Sequence, residues 1–126
     1  MRVRYQETDR AGVVYHSNYL IYFEIGRTEL LRSLGHPYRR MEEEGLLLTV
    51  SEAGARFLRP ARYDDLLRIE TSVIECSGAR VRFEYAIHGP GDELLCRGFT
   101  VLACIDGERG SPRRLPSDLR SLLEGG

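Results

Sequence analysis

Hydrophobic and polar positions along this chain repeat with two different periods. The cleanest alternation runs from Ala79 to His88, where Val81, Phe83, Tyr85 and Ile87 are set against Arg80, Arg82, Glu84 and His88. A period of two predicts a half-buried strand. Leu66 to Glu75 repeats the pattern with Leu67, Ile69, Thr71 and Val73 on one side. Leu46–Leu58 and Glu93–Asp106 read as longer strands, and Met1–Gln6 as a short one with Val3 and Tyr5 against Arg2 and Arg4. Cys76-Ser77-Gly78 and Gly89-Pro90-Gly91-Asp92 are turn sequences, which makes the last three strands antiparallel neighbours.

One long segment instead follows helical spacing. From a cap at Ser17 or Asn18 to about Leu34, the positions Leu20, Phe23, Leu30, Leu31 and Leu34 share a side with Gly26, and Glu24, Thr28 and Arg32 form the polar side. Gly35 and Pro37 mark its end. Tyr38–Gly45 predicts one or two further helical turns, and Pro116-Ser117 opens a short helix through Leu123. A helix of about 17 residues and about five strands must bury their apolar faces on each other, an α+β arrangement with an antiparallel sheet against one long helix. Glycine inside a helix costs about 1 kcal/mol relative to alanine, so Gly26 is expected where the helix presses on the sheet. Without a linker or repeat, residues 1–126 read as a single domain.

Composition narrows the chemistry. The net charge is −1 and the longest basic runs are the pairs Arg39-Arg40 and Arg113-Arg114, which argues against a nucleic-acid partner. No apolar stretch approaches the roughly 20 residues that span a bilayer. Met1-Arg2-Val3-Arg4 leads straight into polar sequence without a signal-peptide pattern, and the expected compartment is the cytoplasm. The three cysteines, Cys76, Cys96 and Cys104, have no CxxC spacing and read as small buried hydrophobes. All 18 basic residues are arginine, so lysine-based nucleophiles, bases and phosphate loops are excluded.

Candidate chemistry concentrates between Tyr5 and Arg27. Asp9 sits on a turn with Ala11 and Gly12; Val13 and Val14 follow, then His16 just ahead of the helix start. This places a carboxylate and an imidazole near backbone N–H groups that have no intrahelical partner and carry the positive end of the helix dipole. Such donors suit a developing oxyanion. Each residue also has a plainer reading: Asp9 as a turn aspartate bonding its own backbone, and His16 as a capping or core histidine. Glu24, further along the helix, is a rival carboxylate or a helix ion-pair partner of Arg27 or Thr28. Ser17 beside His16 cannot hold triad geometry, and no G-x-S-x-G elbow exists. Arg59 and Arg62 flank Pro60 and could grip phosphates or simply be solvated. His36 reads as a helix C-terminal histidine and His88 as a strand-end surface residue; three such dispersed histidines imply no metal site.

The string Asp9-x-x-Gly12-Val13-Val14-Tyr15-His16-x-Asn18-Tyr19, with Tyr22-Phe23-Glu24 and Arg27, resembles the hotdog-fold acyl-CoA thioesterases. The nearest group is the 4-hydroxybenzoyl-CoA thioesterase-like family, in its branch associated with the bacterial Tol-Pal system. The likeness extends through Arg59-Pro60-Ala61-Arg62-Tyr63 and Arg113-Arg114-Leu115-Pro116. It implies a sheet wrapped on a central helix, and a site formed where two subunits pair their sheets edge to edge, in a homodimer or homotetramer. It implies hydrolysis of an acyl-CoA or acyl-carrier-protein thioester with no cofactor, the coenzyme A ester being substrate. Asp9 is then the catalytic carboxylate, as nucleophile or general base. The His16 N–H polarises the carbonyl while its side chain orients substrate or water, and Gly12 and Val13 shape the turn. Arg59 and Arg62 are the expected coenzyme A phosphate contacts. Asp64-Asp65 departs from the Gly-Asp pair common in the family at that turn. Two other readings stay open: a non-catalytic acyl-thioester-binding protein, and a hotdog dehydratase of hydroxyacyl thioesters.

Overall fold

The computed structural model describes residues 1–125. Three helices, α1 (Asn18–Ser33), α2 (Tyr38–Glu43) and α3 (Ser117–Gly125), accompany four strands, β1 (Leu46–Phe57), β2 (Arg68–Ser77), β3 (Arg80–His88) and β4 (Leu94–Asp106). All the strands pair antiparallel, in the spatial order β1-β4-β3-β2. The alternation read in β3 holds: Val81, Phe83, Tyr85 and Ile87 are buried beneath α1.

Gly26 lies where helix and sheet touch. A Cβ placed there would stand 2.5 Å from Thr71 Oγ1 and 2.8 Å from Ile69 Cγ2, so only a bare Cα lets α1 come this close to β2. Beside it, Phe23 stacks on Tyr85 with ring centroids 4.5 Å apart, and aromatic stacking of this kind adds about 0.5–1.5 kcal/mol beyond its buried area.

Two expectations need correction. The first strand does not form: Met1 exchanges hydrogen bonds with Leu67, and Val3 donates to Asp65 O and accepts the Asp64 N–H, but pairing is limited to the isolated bridge Arg2–Leu66. The chain then turns away into a 3-10 turn, Tyr5–Glu7, because the Glu7 carboxylate captures the Arg4 backbone N–H at 2.8 Å. The sheet therefore has four strands instead of about five. The face of α1 also differs. Tyr19, Tyr22, Phe23, Gly26 and Leu31 are buried, whereas Leu20 is exposed.

The two sheet edges are unlike. β2 is flanked by the Arg2–Leu66 bridge and packed by α3, whose Leu119 and Leu123 are buried. β1 has β4 on one side and, among the described residues, no strand on the other, where the Leu48 N–H donates to the Tyr38 hydroxyl at 3.0 Å and the rest of the edge lies open. On the helix side of the sheet, Val50 pairs with buried Leu102 and Phe57 with buried Cys96, yet the two are 49% and 42% exposed. The Asp64-Asp65 turn also resolves: Asp64 takes φ 67, the left-handed conformation a glycine would supply.

Candidate active site

The Asp9 turn is a small hairpin closed by the bridge Thr8–Val14. The Asp9 N–H donates to Val13 O at 2.8 Å, the Gly12 N–H donates to Asp9 O at 3.0 Å, and Gly12 has φ 78. Asp9 Oδ1 accepts the Ala11 N–H at 2.8 Å and the Val13 N–H at 3.4 Å. The turn-aspartate reading is therefore met by Oδ1. Oδ1 fixes its rotamer against the turn, while Oδ2 is left over on an exposed residue.

His16 is exposed, its imidazole stacked on Phe57 at 4.2 Å and 12°. Buried Tyr19 meets the same Phe57 edge-on at 5.0 Å, so the end of β1 forms a wall beside the histidine. The expected helix cap is absent: Ser17 makes no side-chain cap bond, and Asn18 Nδ2 reaches back to Glu7 O at 3.0 Å. The backbone N–H of Tyr15 is taken by Glu7 O, that of Asn18 by Tyr15 O and that of Tyr19 by His16 O. Among the described residues this leaves the N–H groups of His16 and Ser17 as open donors at the head of α1, the end that favours negative charge.

The arginine loop joins the same region. Val13 bridges Arg62, and the Val14 N–H donates to Ala61 O at 2.8 Å. Arg62 is held at its backbone by Asp65 Oδ2 at 2.9 Å, and both Arg59 and Arg62 are exposed. The structure therefore gathers Asp9, Gly12, Val13, His16 and Arg62 around one end of α1, with Arg59 anchored to Leu95 O along the same loop. Glu24 is not part of that gathering. Six residues past Asn18, it lies roughly 9 Å farther along the axis, beside a small cavity of about 100 Å³ also lined by Arg27, Leu31, Tyr38 and Leu48.

Two contributors escaped the sequence reading. Phe57 carries the signal of an aromatic ending a strand, which does not say what it faces. Glu7 lies between Tyr5 and Arg27 but carries no sequence signal of its own; it is only 4% exposed and accepts the Tyr22 hydroxyl at 3.2 Å. Burial pushes the Cys96 thiol up to about 11, so it stays protonated at neutral pH and is no nucleophile.

Residues 3–123 match the model of the thioesterase-like superfamily. The acyl-CoA thioesterase YbgC of Haemophilus influenzae is 35% identical over 122 residues, covering 96% of this chain and 89% of that protein. The acyl-CoA thioester hydrolase YbgC of Escherichia coli is 32% identical over 119 residues, 94% of this chain and 89% of the other. The crystal structure of the hypothetical protein TT1821 from Thermus thermophilus superimposes with a TM-score of 0.92 at 38% identity, over 99% of this chain and 95% of that one. No helix among the described residues is long and apolar enough to cross a membrane. With its helix laid across an antiparallel sheet, the chain belongs to the thioesterase-like superfamily and has the hotdog fold.

Proposed function

We propose that this thioesterase hydrolyses acyl-CoA thioesters to free acid and thiol, using Asp9 as its reacting carboxylate and the N–H groups of His16 and Ser17 as carbonyl donors. The observation that carries the reading is the common anchorage of both parts. Glu7 O holds Tyr15 and Asn18, while Glu7 itself leads through Thr8 into the Asp9 turn. The carboxylate and the open donors thereby belong to one rigid unit. Donors aimed at a developing oxyanion commonly contribute about 2.7–4 kcal/mol each.

The thioester carbonyl docks at the head of α1. Asp9 Oδ2 either attacks its carbon to give a mixed anhydride or takes a proton from the attacking water. The thiolate leaves without a strong acid, so neither lysine nor a resident cofactor enters the reaction. The His16 ring, held flat on Phe57, orients the thioester or water, and Arg59 and Arg62 grip the phosphates of coenzyme A. The relatives named above are acyl-CoA hydrolases, which favours a coenzyme A ester over a carrier-protein ester. The cytoplasm, where such esters are found, is the compartment this substrate implies.

A dimer completes the site. The edge strand β1 ends in the exposed Phe57 that stacks on His16; a second copy pairing along that edge would satisfy it and wall the pocket. The test is thiol release from a panel of acyl-CoA esters, run beside light scattering at micromolar concentration. Release by the native chain, lost in Asp9→Asn, is expected from a dimer or larger assembly. Binding without turnover, or hydration of an enoyl thioester in its place, would overturn the hydrolase reading. A monomer would overturn the shared site.

A further inference from the structure

We infer that Glu7 is a positioning residue for the Asp9 chemistry, acting through the Tyr22 hydroxyl; the inference rests on the hydrolase reading above. Glu7 is a buried carboxylate for which ordinary surface solvation offers no explanation. Its two oxygens and its carbonyl accept five hydrogen bonds from four residues. Oε1 takes the Arg4 N–H at 2.8 Å and the Tyr22 hydroxyl at 3.2 Å. Oε2 takes the Arg4 guanidinium at 3.4 Å. The carbonyl takes the Tyr15 N–H at 2.9 Å and Asn18 Nδ2 at 3.0 Å. Buried carboxylates persist only when paired and hydrogen-bonded in this way.

The pattern of partners gives the residue its role. Tyr22 is fully buried in the core face of α1 and edge-on to Tyr19 at 5.5 Å, so its hydroxyl is a fixed point on the most rigid element of the molecule. Asn18 is the first residue of the same helix. Tyr15 immediately precedes His16. Glu7 therefore bonds the helix at Tyr22 and Asn18, the donor-bearing segment at Tyr15, and, through the single residue Thr8, the hairpin that carries Asp9. Loosening Glu7 changes the spacing between Asp9 and the donors at the head of α1 without touching either group. Displacement of a reacting group by about 1 Å can cost about 10²-fold in rate, and supporting groups of this kind set that spacing.

Three variants test this in the thiol-release assay, each with kcat, KM and melting temperature measured. Tyr22→Phe deletes only the hydroxyl and leaves the ring packing, so the chain folds; kcat should fall about tenfold or more while KM stays within twofold. Glu7→Ala should lose more, and Glu7→Gln, which keeps an acceptor oxygen for Tyr22 and Arg4, should recover most of that loss. The decisive measurement is the double variant Asp9→Asn with Tyr22→Phe. If the hydroxyl works by placing Asp9, its removal costs nothing further once the carboxylate is gone, a non-additivity that a purely structural role does not produce. Additive effects, or an unchanged kcat with a lowered melting temperature, would overturn the inference while leaving the hydrolase reading intact. Full activity in Asp9→Asn alone would instead defeat the reading on which the inference stands.

Discussion

The two ends of α1 solve the same problem in opposite ways. Every helix leaves backbone groups unpaired at its termini. At the tail the chain closes them: the His36 N–H donates to Leu31 O and the Gly35 N–H to Arg32 O, both at 3.0 Å, with Gly35 at φ 84. That is the Schellman pattern, and His36 is then buried under the Arg40–Asp118 ion pair linking α2 to α3. At the head the expected side-chain cap is missing and the donors of His16 and Ser17 stay open beside an exposed carboxylate. With the chemistry proposed for the head and the tail sealed by backbone bonds, substitutions should separate along the helix.

The largest separation is expected at the head. Asp9→Asn keeps Oδ1 for the Ala11 and Val13 N–H groups, so the turn survives and stability should move by less than about 1 kcal/mol, a neutral amide replacing an exposed anion. Positioned general-base or nucleophilic chemistry is lost with the charge, and kcat should fall by about 10²–10⁴. A variant that keeps most of its rate while Glu24→Gln loses it would move the chemistry down the helix and break the comparison.

In the middle of α1 the effect should be purely structural. Gly26→Ala pushes a methyl into Thr71 and Ile69. Overpacking costs about 1–3 kcal/mol, against the roughly 1 kcal/mol of helix propensity that alanine restores. A net loss of up to about 2 kcal/mol in chemical denaturation is expected, and a stabilised variant would mean the sheet yields to the helix. At the tail, Gly35→Ala must hold a Cβ in the left-handed region, costing about 1 kcal/mol with kcat unchanged.

Alkaline pH probes the head by a different route. Burial, followed by the nearby Glu7 carboxylate, raises the Tyr22 hydroxyl above its ordinary value. A folded-state value raised above the unfolded one gives stability that is fully present below the unfolded value, about 10 for tyrosine, and is lost as pH rises past it. Stability should begin to decline near pH 8.5, where the unfolded cysteine thiol ionises and buried Cys96 does not, and should fall further past about 10; Tyr22→Phe should remove part of that second decline. An identical profile above about pH 10 in the variant would show that Cys96 and the other buried tyrosines carry it.

The sequence displayed the fold where its periods were unambiguous. β2, β3 and β4 follow from alternation punctuated by turn residues, and Gly26 marked the helix–sheet contact because no local reason for a glycine existed there. The core face of α1 was harder to read. Leu20, Ile21 and Ile25 are apolar but exposed, while Tyr19 and Tyr22 are buried, so a helix apolar on several sides does not announce which one the sheet takes. The first strand failed because its continuation depends on whether Arg4 pairs onward or turns back to Glu7, a choice made by a side chain. At the site, the Asp9 turn was visible through its spacing to Gly12. Phe57 and the Tyr22–Glu7 bond were not, since both join residues distant in sequence and neither has a local signature.

The smallest effect should come from His36, where the sealed tail contains an apparent flaw. The imidazole is fully buried, and among the described residues neither ring nitrogen has a hydrogen-bond partner; Asp118 Oδ2 stands 3.7 Å from Nε2. An unsatisfied buried polar group costs about 1–3 kcal/mol, and a leucine of similar volume would carry no such cost. Removing the ring would also remove its weak attraction to Asp118, but that carboxylate keeps the Arg40 guanidinium at 2.8 Å and is not left unpaired. His36→Leu should therefore be neutral or stabilising by up to about 1 kcal/mol, with kcat unchanged because the head of the helix is untouched. Loss of more than about 1 kcal/mol in this variant would mean that His36 closes a polar contact at the tail, and that the tail is bound by polar bonds as the head is.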